Sequence, residues 1–210
     1  MSSEVGRFGI MTIDLPDREF AGYIFDCDGT LVHSMPLHYK AWTASFVHNK
    51  APWVWEEDEF YAAAGVPDRV TVTKLNERYD AAICPDAVHE YKAEWYAEHV
   101  GKLKPVPGVG ELAHKLHAEG RKISVASGSD LSLVEPSLEA TGLRDLFDII
   151  ITPALVKYGK PAPDMFLLAA EKMGVPPEDC LVFEDGQAGI DAANAAGMAS
   201  VFVDSRSLGV

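Results

Sequence analysis

Four short stretches of this chain set oxygen and nitrogen groups at the ends of apolar runs, where they could do chemistry. Asp26 and Asp28 close the run Tyr23-Ile24-Phe25, directly before Gly29 and Thr30. Side chains alternate along a strand, so acids two residues apart fall near one side of its end. Such a pair can supply a nucleophile and a general acid or base, or ligands for a hard cation. Taken alone, it serves equally well as a strand end whose Asp side chains accept hydrogen bonds in a turn. Val125-Ala126-Ser127-Gly128-Ser129 offers a hydroxyl and backbone donors just before a helical pattern whose start favours anions. Ser129 and Asp130 read as helix-capping residues, which leaves Ser127 as the freer hydroxyl. Gly159-Lys160-Pro161 places a cation before a helix start, where the macrodipole disfavours it, so a role other than local stability is expected. Glu184 and Asp185 end a second acid-tipped run, Leu181-Val182-Phe183, which turns through Gly186 into a helix.

If these tips converge, they meet an electrostatic difficulty. Carboxylates about 4 Å apart at an effective dielectric near 20 repel by ~4 kcal/mol, and a phosphate among them adds to the repulsion. A hard divalent cation resolves it, because Mg²⁺ prefers oxygen ligands, takes one or two carboxylates plus waters, and bridges to phosphate. Lys160 can supply the remaining positive charge. A metal and phosphoryl site therefore explains the acids together more simply than four unrelated turns do.

The elements that must position these groups follow from hydrophobic periodicity. Strands are expected at Phe20 to Asp26, Lys122 to Ser127, Asp148 to Thr152, Cys180 to Glu184 and Ser200 to Asp204. Helices are expected at Gly108 to Glu119, Asp130 to Thr141, Ala162 to Met173 and Gln187 to Ala196. Strands alternating with helices predict an α/β fold, a doubly wound, Rossmann-like parallel sheet covered on both faces. The long stretch between the first two strands reads as helix only, at Leu37 to His48, Trp55 to Ala64, Asp68 to Tyr79 and Pro85 to Lys102. It is expected to be an inserted helical domain, residues 33–104, within a core of residues 1–32 and 105–210. Trp42, Trp53, Trp55, Tyr91, Trp95 and Tyr96 all lie in the insertion and read as its packing core. The segment before Phe20 is expected to add an edge strand around Gly9 to Ile13 or to remain loose.

Composition narrows the class further. At 210 residues and 48% hydrophobic content, the chain can bury a sizeable core, which excludes global disorder. Its longest apolar runs fall far short of the ~20 residues needed to span a bilayer. The formal charge of −14, without a Lys/Arg run, argues against nucleic acid as a partner. It also means that an anionic substrate must be captured by local positive charge. Three dispersed cysteines without a C-x-x-C pair, and no charged-then-apolar leader, point to the cytoplasm. A monomer or weak oligomer is expected.

Taken together and in order, Asp26-x-Asp28-Gly29-Thr30, Ser127, Lys160 and Glu184-Asp185 resemble the haloacid dehalogenase superfamily. The stretches around Phe25 to Trp42, Lys160 to Phe166 and Phe183 to Ile190 look like its branch of β-phosphoglucomutases and small sugar-phosphate phosphatases. In that branch the insertion is a mobile helical cap domain. The resemblance implies that Asp26 attacks phosphorus to form an aspartyl-phosphate, and that Asp28 acts as general acid and then base. It implies Mg²⁺ held by Asp26, the Asp28 carbonyl and Asp185, with Glu184 a ligand or a supporter of one. Ser127, the Gly128 backbone and Lys160 would clamp the phosphoryl oxygens. With an ordinary pKa of about 3.9, Asp26 would be ionised without help. The cap candidates for substrate contact are His38, Arg69 and Lys74.

Two departures bear on the reaction. Asp68 stands where the mutases carry Arg, and Arg69 is displaced by one position, about 100° around a helix. That favours hydrolysis of a small phosphorylated metabolite over β-phosphoglucomutase activity, the runner-up. His33 replaces an acid common at that position, and Cys27 an apolar residue. From another class, a response-regulator receiver would be nearer 120 residues and lack the insertion, and a catalytically silent phosphate-binding protein would not need every core catalytic type.

Overall fold

A computed structural model of the chain describes residues 7–8, 11–12, 15–64 and 66–208. Strands β1 (Arg7–Phe8) and β2 (Met11–Thr12) pair with each other, antiparallel. The edge strand expected around Gly9 to Ile13 falls partly outside the described residues. Its described part, Met11–Thr12, pairs locally with Arg7–Phe8 and not with the main sheet, and closing a short loop costs little chain entropy.

The chain divides into two compact units, one running to His33 and resuming at Leu103, the other Ser34–Lys102. The first is an α/β layer structure. Its strands are β3 (Gly22–Phe25), β4 (Lys122–Ala126), β5 (Ile150–Ile151), β6 (Cys180–Glu184) and β7 (Ala199–Phe202). All are parallel, in the spatial order β5-β4-β3-β6-β7. The chain builds outward from β3 to one edge and then crosses back to build the other. The strand order therefore reverses at β3, whose carboxyl end is the position where open α/β sheets bind ligands.

Strand alternation divides the core into two faces. On one, Phe25 stacks on Phe183 of the neighbouring strand, with ring centroids 4.7 Å apart and planes 8° from parallel. Val125 and Leu181 join them beneath Val109, Leu112, Ala113 and Leu116. On the other, Ile24, Ala126 and Val182 pack under Met165, Phe166, Ala169, Ala192 and Ala193. Cys27 is fully buried with the first face, as a small core residue.

The helical unit holds α1 (Met35–His48), α2 (Glu57–Ala62), α3 (Asp68–Tyr79) and α4 (Pro85–His99). Trp42, Phe46, Trp53, Trp55 and Phe60 form its core with Val72, Leu75 and Val88; Tyr96 is buried against His38, whereas Tyr91 and Trp95, read as core from the sequence, are half-buried and stack on His48 and His99. Ser45 on α1 donates a buried 2.7 Å hydrogen bond to the Val88 carbonyl of α4, satisfying both groups.

The α/β unit then continues through α5 (Val109–Ala118), α6 (Leu131–Ala140), α7 (Asp164–Met173) and α8 (Gln187–Ala195). Helix α7 begins at Asp164, two residues later than the sequence pattern indicates. Ala162 precedes Pro163, and the residue before a proline is pushed out of helical geometry. Strand β5 is likewise shorter than the expected Asp148 to Thr152. Among the described residues no helix is long and apolar enough to cross a membrane.

Candidate active site

Every strand that brings chemistry to the site ends where its functional residue begins. Strand β3 ends at Phe25 and delivers Asp26, whose N–H donates to the Phe183 carbonyl of β6 at 3.0 Å. The chain then closes a tight loop in which the Leu31 and Val32 amides both donate to the Cys27 carbonyl. Gly29 makes that loop possible, since its φ of 82° lies where a side chain would be strained. Strand β4 delivers Ser127, anchored by its own N–H to the Ile151 carbonyl of β5 at 2.9 Å. Strand β6 ends in Glu184 and continues into Asp185.

Lys160 ties these ends together. Its Nζ donates to Asp26 Oδ1 at 2.6 Å and to Glu184 Oε1 at 2.7 Å, with the Lys160 side chain only 6% exposed. It also lies 5.1 Å from the Phe166 ring centroid. The lysine thus sits four residues before α7 and is compensated by two carboxylates, so the macrodipole penalty inferred from the sequence does not arise. Burial opposes its charge, yet Asp26 and Glu184 outweigh burial and hold its pKa above the ordinary lysine value.

The acids respond in the opposite sense. Burial pushes the Asp26 carboxyl above the ordinary carboxylate range; Lys160 pulls it down, while Glu184 and Asp28 push it further up. This corrects the expectation of an unperturbed Asp26, because only 5% of the residue remains exposed to water. Asp185 is raised as well, by burial first and then by repulsion from Asp26 and Glu184. Burial and the two aspartates likewise push the Cys27 thiol up, leaving it inert.

Glu184 is held from both sides. Its Oε1 accepts from Lys160 and its Oε2 from the Gly186 N–H at 2.7 Å. Helix α8 approaches so closely that a Cβ at Gly189 would land on this carboxylate. Of the two roles open to Glu184 in the sequence, supporter of a ligand matches these bonds better than direct ligand. The oxygen donors suited to a cation are then the neighbouring carboxylates of Asp26 and Asp185. Four acids face one ammonium here, an excess of negative charge that suits a divalent ion. Among the described residues no three His, Cys, Asp or Glu side chains are arranged to hold a metal by themselves. Mg²⁺ keeps several waters and needs only one or two carboxylates.

Asp28 is joined to the end of β4. The Ser129 hydroxyl donates to Asp28 Oδ2 at 2.6 Å, and Ser127 Oγ lies 3.5 Å from the same oxygen. The Ser129 N–H donates back to Ser127 Oγ at 3.1 Å. Ser129 is therefore not a helix cap. Asp130 occupies the N-cap position of α6 in extended conformation, one residue later. Sequence reasoning took Ser129 for a helix cap and Gly186 for a turn, and gave Gly189 no role; two hydroxyls flanking a Gly at a strand end, and two Gly after an acidic pair, were the available signals.

The three cap candidates belong to the helical unit and have different surroundings there. His38 is buried and stacked on Tyr96, with centroids 4.2 Å apart. Arg69 is exposed and pairs with Asp86. Lys74 is exposed on α3. The sequence reading missed Lys92, which is 5% exposed, bonded to both oxygens of Asp68 at 2.9 Å and 4.7 Å from the Trp42 ring centroid. His89 adds a 3.1 Å contact to Asp68. Burial would raise the Asp68 carboxyl, but Lys92 and His89 overcome it and hold the acid well below the usual range.

Known phosphatases and related structures are similar to this chain over most of its length. Fructose-1-phosphate phosphatase YqaB of Escherichia coli is 37% identical over 187 residues, 89% of this chain and 97% of its own. The phosphorylated carbohydrates phosphatase of Thermotoga maritima is 31% identical, covering 88% of this chain and 85% of its own. The crystal structure of CbbY from Rhodobacter sphaeroides with xylulose-(1,5)bisphosphate superposes with a TM-score of 0.79 at 27% identity, over 86% of this chain and 84% of that one. A β-phosphoglucomutase structure from Clostridium difficile gives 0.76 at 26% identity, over 86% and 83%. Residues 20–197 match the haloacid dehalogenase-like hydrolase family across both units, and with the acid-tipped parallel strands and their shared lysine already in place, the chain belongs to that family of hydrolases.

Proposed function

We propose that this protein is a Mg²⁺-dependent phosphatase of small phosphorylated sugars that works through a phospho-Asp26 intermediate. The observation that carries the reading is the buried Lys160 ammonium, bonded at once to Asp26 and Glu184 at the carboxyl end of the central strand. In a chain of net charge −14, it is a local positive group able to receive a phosphoryl oxygen. An Asp26 oxygen forms a bond to phosphorus as the bond from phosphorus to the sugar oxygen breaks, and Asp28 gives that oxygen its proton. Asp28, now a carboxylate, takes a proton from water as the water oxygen bonds to phosphorus. The Asp26–phosphorus bond breaks and inorganic phosphate leaves. Lys160, Ser127 and the Gly128 N–H stabilise charge on the equatorial oxygens. Mg²⁺, when bound by Asp26, Asp185 and the Asp28 carbonyl, supplies neutralising charge for the phosphoryl group.

Fructose 1-phosphate is the first substrate to test, since the relative of that name aligns over nearly its whole length. Hydrolysis is favoured over intramolecular transfer because Asp68, where the mutases carry Arg, is committed to Lys92, and Arg69 pairs with Asp86. The test measures Mg²⁺-dependent phosphate release from a panel of sugar phosphates, with Asp26→Asn as the control. Phosphate release that is lost in Asp26→Asn, with the labelled phosphoryl group trapped on Asp26 in the wild type, supports the reading. Conversion of β-glucose 1-phosphate to the 6-phosphate without net release would favour the mutase, and full activity in Asp26→Asn would end both.

A further inference from the structure

We propose that Ser129 is a positioning residue that holds the carboxyl group of Asp28 in the orientation from which it delivers its proton; this inference rests on the phosphatase reading above. The Ser129 hydroxyl donates to Asp28 Oδ2 at 2.6 Å, at the short end of the range for such a bond.

The bond is built into the fold on both sides. Ser129 is fixed through its own N–H, which donates to Ser127 Oγ, and Ser127 is locked to β5 through its backbone. Asp28 sits in the loop that Cys27, Gly29, Leu31 and Val32 close with three backbone hydrogen bonds. The terminal torsion of an aspartate is soft and roughly two-fold, so backbone placement alone leaves the carboxyl plane undecided. The hydroxyl decides it. With the hydroxyl bonded to Oδ2, the plane of the carboxyl group is set, and with it the direction in which its proton is presented. Ser127 alone cannot do this, since its Oγ is 3.5 Å from Oδ2 and engaged by the Ser129 amide.

The consequence depends on the leaving group. A sugar alkoxide must be protonated as it departs, whereas an aryl oxide such as 4-nitrophenolate leaves without a proton. Positioned acid catalysis contributes roughly 10²–10⁴-fold, and loosening the acid should forfeit about tenfold of it. In Ser129→Ala, kcat/KM for the sugar phosphate should fall about tenfold or more while kcat/KM for 4-nitrophenyl phosphate changes less than about threefold, since kcat/KM reads the first chemical step. Ser129→Thr keeps the hydroxyl and should restore the sugar phosphate value. Equal losses on both substrates, or none on the sugar phosphate, overturn the proposal. Asp28→Asn is run alongside. If it slows the sugar phosphate selectively and Ser129→Ala does not, the positioning role alone is wrong. If Asp28→Asn is as active as wild type on both substrates, the acid–base reading itself fails.

Discussion

Replacing Lys160 by Met tests whether one buried ammonium holds the ends of β3 and β6 together. Methionine keeps most of the stem volume and leaves little cavity, so the loss is electrostatic. The substitution strips the charge partner from Asp26 and Glu184, whose side chains are 8% and 4% exposed. Removing one partner from a buried ion pair costs about 3–5 kcal/mol, because the remaining charge is left desolvated. At ~2–4 °C per kcal/mol for a chain of this size, the melting transition should fall by about 6–20 °C. Adding Glu184→Gln removes one of the stranded charges, so the double variant should be more stable than the sum of the two single losses. The loss should also shrink as pH falls below about 7, where Asp26, raised by burial, takes up a proton and no longer needs the ammonium. Calorimetry is the right assay, since Trp42, Trp53, Trp55 and Trp95 all lie in the helical unit and tryptophan fluorescence would report on the wrong half. A fall of under about 2 °C, unchanged by pH, would refute the reasoning, as it would mean that the two acids are solvated well enough without their lysine.

Three further outcomes are expected. Gly189→Ala should abolish phosphate release and cost about 1–3 kcal/mol in urea unfolding, because its Cβ meets a Glu184 carboxylate pinned by Lys160 and Gly186. Asp68→Asn strands Lys92, whose side chain is 7% exposed, and should cost about 3–5 kcal/mol. Tryptophan fluorescence will see that change, since Lys92 lies over Trp42. Because the Asp68 pKa is depressed, its contribution is present above the ordinary carboxylate range and is lost as pH falls through the depressed value. Asp26 and Asp185 are raised, so the folded state without metal binds the extra protons, and stability declines as pH rises from the ordinary carboxylate range through their raised values. Mg²⁺ requires the deprotonated acids, so the increase in melting temperature that it produces should be larger at about pH 8 than at about pH 5; an equal increase at both would place the ion elsewhere.

The layered architecture was legible in the sequence because its signals are local. Short apolar runs punctuated by Gly and Pro, alternating with amphipathic stretches, leave a parallel sheet as the packing that buries both faces. The aspartates after β3, Ser127 after β4 and Glu184 after β6 could be named in advance, since a strand's end is visible where apolar residues give way to polar ones. Boundaries were less legible where two local rules compete, as at Ala162, which helical periodicity claims and the following proline excludes. Partnership was not legible in local signals, and Lys160 could be joined to the acids only by the electrostatic argument and the family resemblance. Lys160 is 134 positions from Asp26 and Ser129 is 101 from Asp28, and nothing local distinguishes such a bond from a solvated lysine or a capping serine. Lys92 and Asp68 found each other across two helices in the same way. The ionisation of Asp26 also belongs to the tertiary structure, because desolvation depends on what the whole unit packs around a carboxyl group and not on its neighbours in sequence. The chain alone determined which groups stand at the strand tips; the fold decided which of them touch, how far each is taken out of water, and so which charge each one carries.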